Sequence, residues 1–161
     1  MGNRKREFVL DDSAATQAVA QAFARACEGQ NLAESGLMVY LQGELGAGKS
    51  CFSRAFIQAF LPGQKVKSPT YTLIESYSYF KFMIHHLDLY RLCDPEELEY
   101  LAVRELFSGN FIALVEWPSK GRPILPASDV SIELLYEGKG RRLKMHAQSE
   151  KGMLLLDSLP V

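Results

Sequence analysis

Cysteine is scarce. The 161 residues hold three, Cys27, Cys51 and Cys93, and no two are spaced as a C-x-x-C pair. An odd count without paired spacing argues against a disulfide framework or a zinc site and fits a reducing compartment. Long apolar runs are also missing. Nothing approaches the roughly 18 apolar residues of a membrane span, and the basic start MGNRKREFVLDD leads into no apolar stretch of signal-peptide length. Neither sign of charge dominates: 18 Lys and Arg face 19 Asp and Glu, for a net charge of -1. That balance argues against a protein that grips nucleic acid by bulk charge alone. Internal repeats and low-complexity segments are absent too.

What is present is ordinary globular composition, 47% hydrophobic and 23% charged, which excludes a disordered tail, a collagen-like chain or a coiled-coil rod. The expectation is one domain over residues 1–161, in the cytoplasm. Residues 7–10 suggest a short strand. Ser13 is the expected N-cap of a helix over residues 14–28, with Val19, Ala22, Phe23, Ala26 and Cys27 at helical spacing and Gly29 as its stop. LMVYL (37–41) is a buried strand, and residues 49–60 form a helix with Phe52, Ala55, Phe56, Ala59 and Phe60 at helical spacing, ended by Pro62 and Gly63. Residues 66–79 have β character, and 82–89 form another strand. Asp94-Pro95-Glu96-Glu97 predicts a capped helix whose apolar face is Leu98, Leu101, Ala102 and Leu106. FIALV (111–115) reads as a buried, parallel strand ending at Glu116. Residues 130–136 and 142–147 alternate around Glu137-Gly138-Lys139-Gly140, a β-hairpin signal. The tail after Ser149 gives no clear element.

Between the LMVYL strand and the helix that follows lies Gly43-Glu44-Leu45-Gly46-Ala47-Gly48-Lys49-Ser50, a full G-x-x-x-x-G-K-[ST] match. Glycines let successive backbone N–H groups converge on one phosphate, and the helix opening at Lys49 adds the positive end of its dipole. Lys49 is placed to reach the outer phosphates of a nucleotide, the Ser50 hydroxyl to ligate Mg²⁺, and the Cys51 N–H to face the α-phosphate. A chance match arises roughly once in a couple of hundred chains of this length. The strand before and the helix after make chance rarer still, so the segment is read as a phosphate loop.

Such a loop needs an acidic partner for its metal, usually at the end of an apolar strand. Glu116 is the first choice. Asp88, in His85-His86-Leu87-Asp88, is the second, placed to orient a water or to meet the metal through water. The alternative for Asp88 is an ion pair with Arg91, and for Glu116 a plain strand-end carboxylate. His86 and Asp88 share a strand face, but His85, His86 and His146 form no metal spacing with cysteine. Thr70, after Ser68-Pro69, is either a turn residue or a switch that senses the γ-phosphate. Trp117, the one tryptophan, is either a core anchor or a contact for a partner.

GELGAGKS, KSPTYTLIESY, HLDLYRL with DPEELEYL, and LVEWP follow one another in this order. Together they resemble the TsaE (formerly YjeE) family, the bacterial P-loop ATPases needed to make threonylcarbamoyladenosine in tRNA, from about residue 13 to residue 147. The resemblance implies an α/β fold, a three-layer P-loop NTPase-like sandwich with a mixed sheet and a C-terminal antiparallel hairpin. It implies ATP and Mg²⁺ as cofactors, slow hydrolysis stimulated by the partner proteins TsaB and TsaD, and contact with tRNA only through that complex. It further implies that residues 46–51 (Gly46, Ala47, Gly48, Lys49, Ser50, Cys51) hold the phosphates and that Ser50 and Glu116, with Thr70 as the switch threonine, serve the metal. Asp88 matches the acidic residue important for activity and Trp117 its neighbouring aromatic, while Ser13, Thr16, Gly140 and Arg141 match positions near the nucleotide. Ser50 stands where Thr is common, Ala102 where Gly is frequent and Ser119 where an acid is frequent.

Two other classes remain to be separated from an ATPase: a binding module gated by nucleotide, and a small P-loop kinase. The kinase is disfavoured because no Arg-rich lid segment is evident. A GTPase is disfavoured because no N-K-x-D motif occurs.

Overall fold

The computed structural model describes residues 4–160. All seven strands join one mixed sheet in the order β1-β7-β6-β2-β5-β4-β3. Its centre is parallel. β2 (Leu37–Gly43) lies between β5 (Phe111–Glu116) and β6 (Val130–Glu137), and β4 (Phe82–Asp88) flanks β5. β2 and β5, at the middle of this parallel centre, read as apolar runs because both of their faces are covered, whereas β6 keeps an alternating pattern. The edges are antiparallel: β3 (Ile74–Tyr79) on β4, β7 (Gly140–Ala147) on β6, and β1 (Lys5–Leu10) on β7. The expected hairpin is the β6–β7 pair.

One face carries α1 (Ser13–Gly29), α2 (Lys49–Phe60) and α5 (Glu150–Ser158). Phe23 meets Phe52 and Phe56 edge-on at ring separations of 5.7 and 5.9 Å, so α1 locks α2 in place over the sheet. The other face is thin. It has only the single turns α3 (Glu97–Tyr100) and α4 (Val103–Leu106) and the 3-10 turn Pro118–Gly121, closing a smaller core around Leu87, Leu89, Leu98 and Leu125. Among the described residues no helix is long and apolar enough to cross a membrane.

Several local expectations change. Asp12, not Ser13, is the N-cap of α1; its side chain accepts from the Ala15 N–H at 2.9 Å, and Ser13 is the first helical residue. Gly29 stays helical, and the chain leaves α1 through Gln30 and a left-handed Asn31. Asp94 Oδ1 accepts from the Glu96 N–H at 2.9 Å, but this closes a turn rather than capping a helix: Pro95 is not helical and α3 opens at Glu97, after Glu96, which makes no side-chain cap bond. The expected helix also breaks at Ala102, which is left-handed at φ 54°. Of residues 66–79 only β3 is strand. The unassigned tail is α5, capped by Ser149, whose hydroxyl accepts from the Gly152 N–H at 3.1 Å.

Candidate active site

The parallel strands β2, β5 and β4 end side by side, and their C-terminal ends open into a crevice, the usual ligand position of an open α/β sheet. The β2 end runs directly into the phosphate loop and α2. Gly48 is the N-cap residue of α2 with φ 112°, a conformation that side chains other than glycine rarely adopt. Gly46 is left-handed too, at φ 80°, and a Cβ there would lie 2.8 Å from the Tyr136 hydroxyl and displace it. That hydroxyl donates to the Leu45 carbonyl at 2.6 Å, and Arg141, its guanidinium 4.2 Å from the Tyr136 ring centre, donates to the Gly46 carbonyl at 3.3 Å. The β6–β7 hairpin thus braces the loop from the side.

A cavity of about 360 Å³ gathers Gly46, Gly48, Lys49, Ser50, Cys51, Thr70, Asp88 and Glu116, together with Leu45, Tyr90, Arg91 and Trp117. Lys49 is only 5% exposed. Its Nζ donates to the carbonyls of Gly43 and Glu44 at 2.5 and 3.0 Å and lies 4.5 Å from the Trp117 ring centre. Burial lowers the pKa of Lys49, opposed by the nearby carboxylates of Glu116 and Asp88. Asp88 and Glu116 face each other across the β4–β5 register, which places both carboxylates on the same side of the sheet. Burial raises the pKa of Asp88, partly offset by the Tyr90 N–H that its Oδ1 accepts at 3.1 Å; the Glu116 charge raises it further. Thr70 donates to Asp88 Oδ2 at 3.5 Å and lies 2.7 Å from the Ser68 hydroxyl. The considered Asp88–Arg91 ion pair does not form: Arg91 stacks on Tyr71 instead.

A second cavity lies on the other flank of the phosphate loop. It is lined by Ser13, Thr16, Gly140 and Arg141 with Gly46, Ala47, Gly48 and Cys51. These distant segments meet because β1 pairs with β7 and Leu10 stands opposite Arg141, so the start of α1 arrives beside the hairpin turn. Every residue singled out as a site candidate therefore lies on one or other side of the loop.

The sequence reading missed His86 and Tyr136. His86 Nε2 is 2.6 Å from Glu116 Oε2 in a buried contact, so with Glu116 ionised the imidazole N–H donates and fixes that carboxylate. The shared face of His86 and Asp88 was a signal for it; only the adjacency of β4 and β5 reveals the partner. No local signal marks Tyr136, whose role depends on β6 lying beside β2. Trp117 is half-buried against Lys49 and Tyr90, so it is both an anchor and a lining residue.

The comparisons agree with this architecture. The crystal structure of Bacillus subtilis YdiB matches the fold at a TM-score of 0.75, covering 97% of this chain and 93% of that one, at 24% identity. The chain is 43% identical over 125 residues to the tRNA threonylcarbamoyladenosine biosynthesis protein TsaE of Haemophilus influenzae, covering 78% of this chain and 79% of that protein. It is 36% identical over 136 residues to the protein of the same name from Rickettsia bellii, covering 83% and 90%. The family model described as threonylcarbamoyl adenosine biosynthesis protein TsaE matches residues 10–144, which span both flanks of the phosphate loop and all three strand ends of the crevice. The chain belongs to the TsaE family.

Proposed function

We propose that this protein binds and hydrolyses ATP with Mg²⁺ and that this activity serves tRNA threonylcarbamoyladenosine formation in the cytoplasm, together with TsaB and TsaD. One observation carries the reading: Lys49, Ser50, Asp88 and Glu116, from three different elements, line one cavity at the mouth of a glycine-rich loop. The tRNA is reached through the partners, in keeping with a net charge of -1.

The donors available in the cavity suit Mg²⁺. They are oxygens: the Ser50 and Thr70 hydroxyls and the Asp88 and Glu116 carboxylates. Among the described residues no cluster of three or more His, Cys, Asp or Glu could hold a metal alone. Mg²⁺ characteristically takes one or two carboxylates and completes its shell with water and phosphate. Ser50 and Glu116 would hold it, with Thr70 contributing when the phosphates are present. Bound there, the ion supplies charge neutralisation across the phosphate oxygens.

This chain's residues do the rest. The backbone N–H groups of residues 46–51 cradle the phosphates, and the brace from Tyr136 and Arg141 keeps them in position before substrate arrives. Lys49 retains an ammonium donor beyond its two carbonyl bonds and directs it to the outer phosphates. Asp88, whose pKa burial raises, receives a hydrogen bond from the attacking water and aligns it with the γ-phosphorus. His86 holds Glu116 and keeps it from turning toward that water. Ser13, Thr16, Gly140 and Arg141 line the place of the nucleoside.

Phosphate release from ATP by the purified chain, alone and with TsaB and TsaD, tests this reading. Turnover that rises with the partners and is lost in Lys49→Ala is expected. Undiminished hydrolysis by Lys49→Ala under the same conditions would refute it.

A further inference from the structure

Arg91 is the one cation of the cavity that the site described so far leaves without a task. It lies in the turn from Leu89 to Leu92, closed by the Leu92 N–H on the Leu89 carbonyl at 3.0 Å, three residues beyond Asp88. It is exposed yet lines the same cavity as Lys49, Ser50, Asp88 and Glu116, which puts it on the rim. No carboxylate among the described residues is within ion-pair distance of it, although two line the cavity. Its guanidinium carbon lies 4.5 Å from the ring centre of Tyr71, the neighbour of Thr70. Stacking uses the flat face of a guanidinium and leaves the N–H fork at its edge available.

The sheet order gives this placement its meaning. Lys49 follows β2 and Arg91 follows β4, with Glu116 at the end of β5 between them. The cavity at the mouth of the loop therefore carries a buried ammonium from the β2 side and, at its rim on the β4 side, a guanidinium with no carboxylate partner among the described residues. In phosphoryl transfer, negative charge spreads over the equatorial oxygens of the γ-phosphoryl group, and a bidentate guanidinium matches that oxygen geometry.

Resting on the ATPase reading above, we propose that Arg91 is a further catalytic residue: it contacts the γ-phosphoryl oxygens during hydrolysis and stabilises their transition-state charge, with Tyr71 holding it at the rim. In that step the water oxygen forms a new bond to the γ-phosphorus. The bond to the β–γ bridging oxygen breaks, and that oxygen keeps the electron pair on ADP. Of the water's two protons, one stays on the released phosphate and the other passes to solvent. Arg91 contributes charge and hydrogen bonds, and no proton leaves it.

The test compares wild type with Arg91→Ala, in the full chain with TsaB, TsaD and Mg²⁺ present. It measures affinity for ADP alone, affinity for ADP with aluminium fluoride as a mimic of the transferring phosphoryl group, and ATP turnover. Arg91→Ala is expected to bind ADP within about two-fold of wild type, to lose the tightening that aluminium fluoride gives, and to turn over roughly 10³-fold more slowly. Co-sedimentation with TsaB and TsaD is expected to be unchanged. Retained tightening or wild-type turnover in Arg91→Ala would overturn the assignment while leaving the ATPase reading intact. Loss of co-sedimentation would overturn it in favour of a contact surface. If wild type itself neither hydrolyses ATP nor tightens with aluminium fluoride, the ATPase reading fails and Arg91 falls with it.

Discussion

The two faces of the sheet are built differently. On one, α1, α2 and α5 bury Phe23, Phe52 and Phe56 completely in a core that runs the length of the strands. On the other, single turns, one of them carrying Leu98, cover Leu87 and Leu89, and three non-glycine residues, Leu73, Ala102 and Trp117, adopt left-handed backbone conformations, against two, Asn31 and Ser35, in the loop that follows α1. Such conformations cost about 1 kcal/mol or more each. The elements proposed to grip phosphate, the loop and α2, are fastened to the thick face. Thr70 and Arg91, proposed to serve the outer phosphate, sit on loops associated with the thin one. On this reading binding is mounted where the core is strong, and turnover where the backbone is short of support.

The largest effect expected from this contrast separates the two functions. Asp88→Asn should slow ATP turnover about 10³-fold while ADP affinity stays within a few-fold, read by phosphate release and by equilibrium binding. An equal loss of both would erase the division between gripping and turnover. Next comes the core itself. Phe56→Ala should cost about 3–5 kcal/mol in urea unfolding, whereas Leu98→Ala should fall at the lower end of the 2–5 kcal/mol range, because a single turn can settle into the space left. A larger loss at Leu98 would reverse the ranking of the faces.

A smaller effect links Asp88 to pH. Burial raises its folded pKa, so the folded state holds the proton more tightly than the unfolded chain does. The ionised carboxylate therefore destabilises the fold above that folded pKa, and the penalty vanishes below about pH 4, where the unfolded chain is protonated too. Asp88→Asn should be more stable than wild type by about 1 kcal/mol at pH 8, with the difference closing toward pH 4 in thermal melts. A difference that widens on acidification would contradict the burial account. The smallest effect is at Ala102. Ala102→Gly relieves a left-handed alanine but adds unfolded-state entropy, for a net gain of roughly 0.5 kcal/mol. Destabilisation there would show that the alanine methyl packs favourably.

How much of this was legible in the sequence follows the range of the interactions. The phosphate loop, the strand before it and Glu116 at the end of FIALV each have a local signature, and all stand where expected. Thr70 and Asp88 also reach the cavity, because a Ser-Pro turn fixes the first and the end of β4 the second. Local chemistry was misjudged where two residues compete: Asp12 and Ser13 are both good caps, and the backbone uses the first. The capped helix expected from residue 94 has a local turn signal in Asp94, yet the helix opens only at Glu97 and the left-handed Ala102 ends it, at a position where the resembled family frequently has glycine. The tail carried a cap at Ser149, but without a neighbouring face to pack against its apolar residues could not be placed. His86, Tyr136 and the stack of Arg91 on Tyr71 depend on which strands and loops lie side by side. No spacing within one segment encodes that adjacency.

In the proposed mechanism Lys49 presents its ammonium to bound phosphate, and Trp117 provides a direct view of it. It is the one tryptophan in the chain, and the Lys49 Nζ lies 4.5 Å from its ring centre. Phosphate oxygens drawn to that ammonium must change the field at the indole. Titration of the protein with Mg²⁺ and ATP while following Trp117 emission should give a saturable change in wild type and none in Lys49→Ala. A flat wild-type titration, or an equal response from Lys49→Ala, would contradict the account.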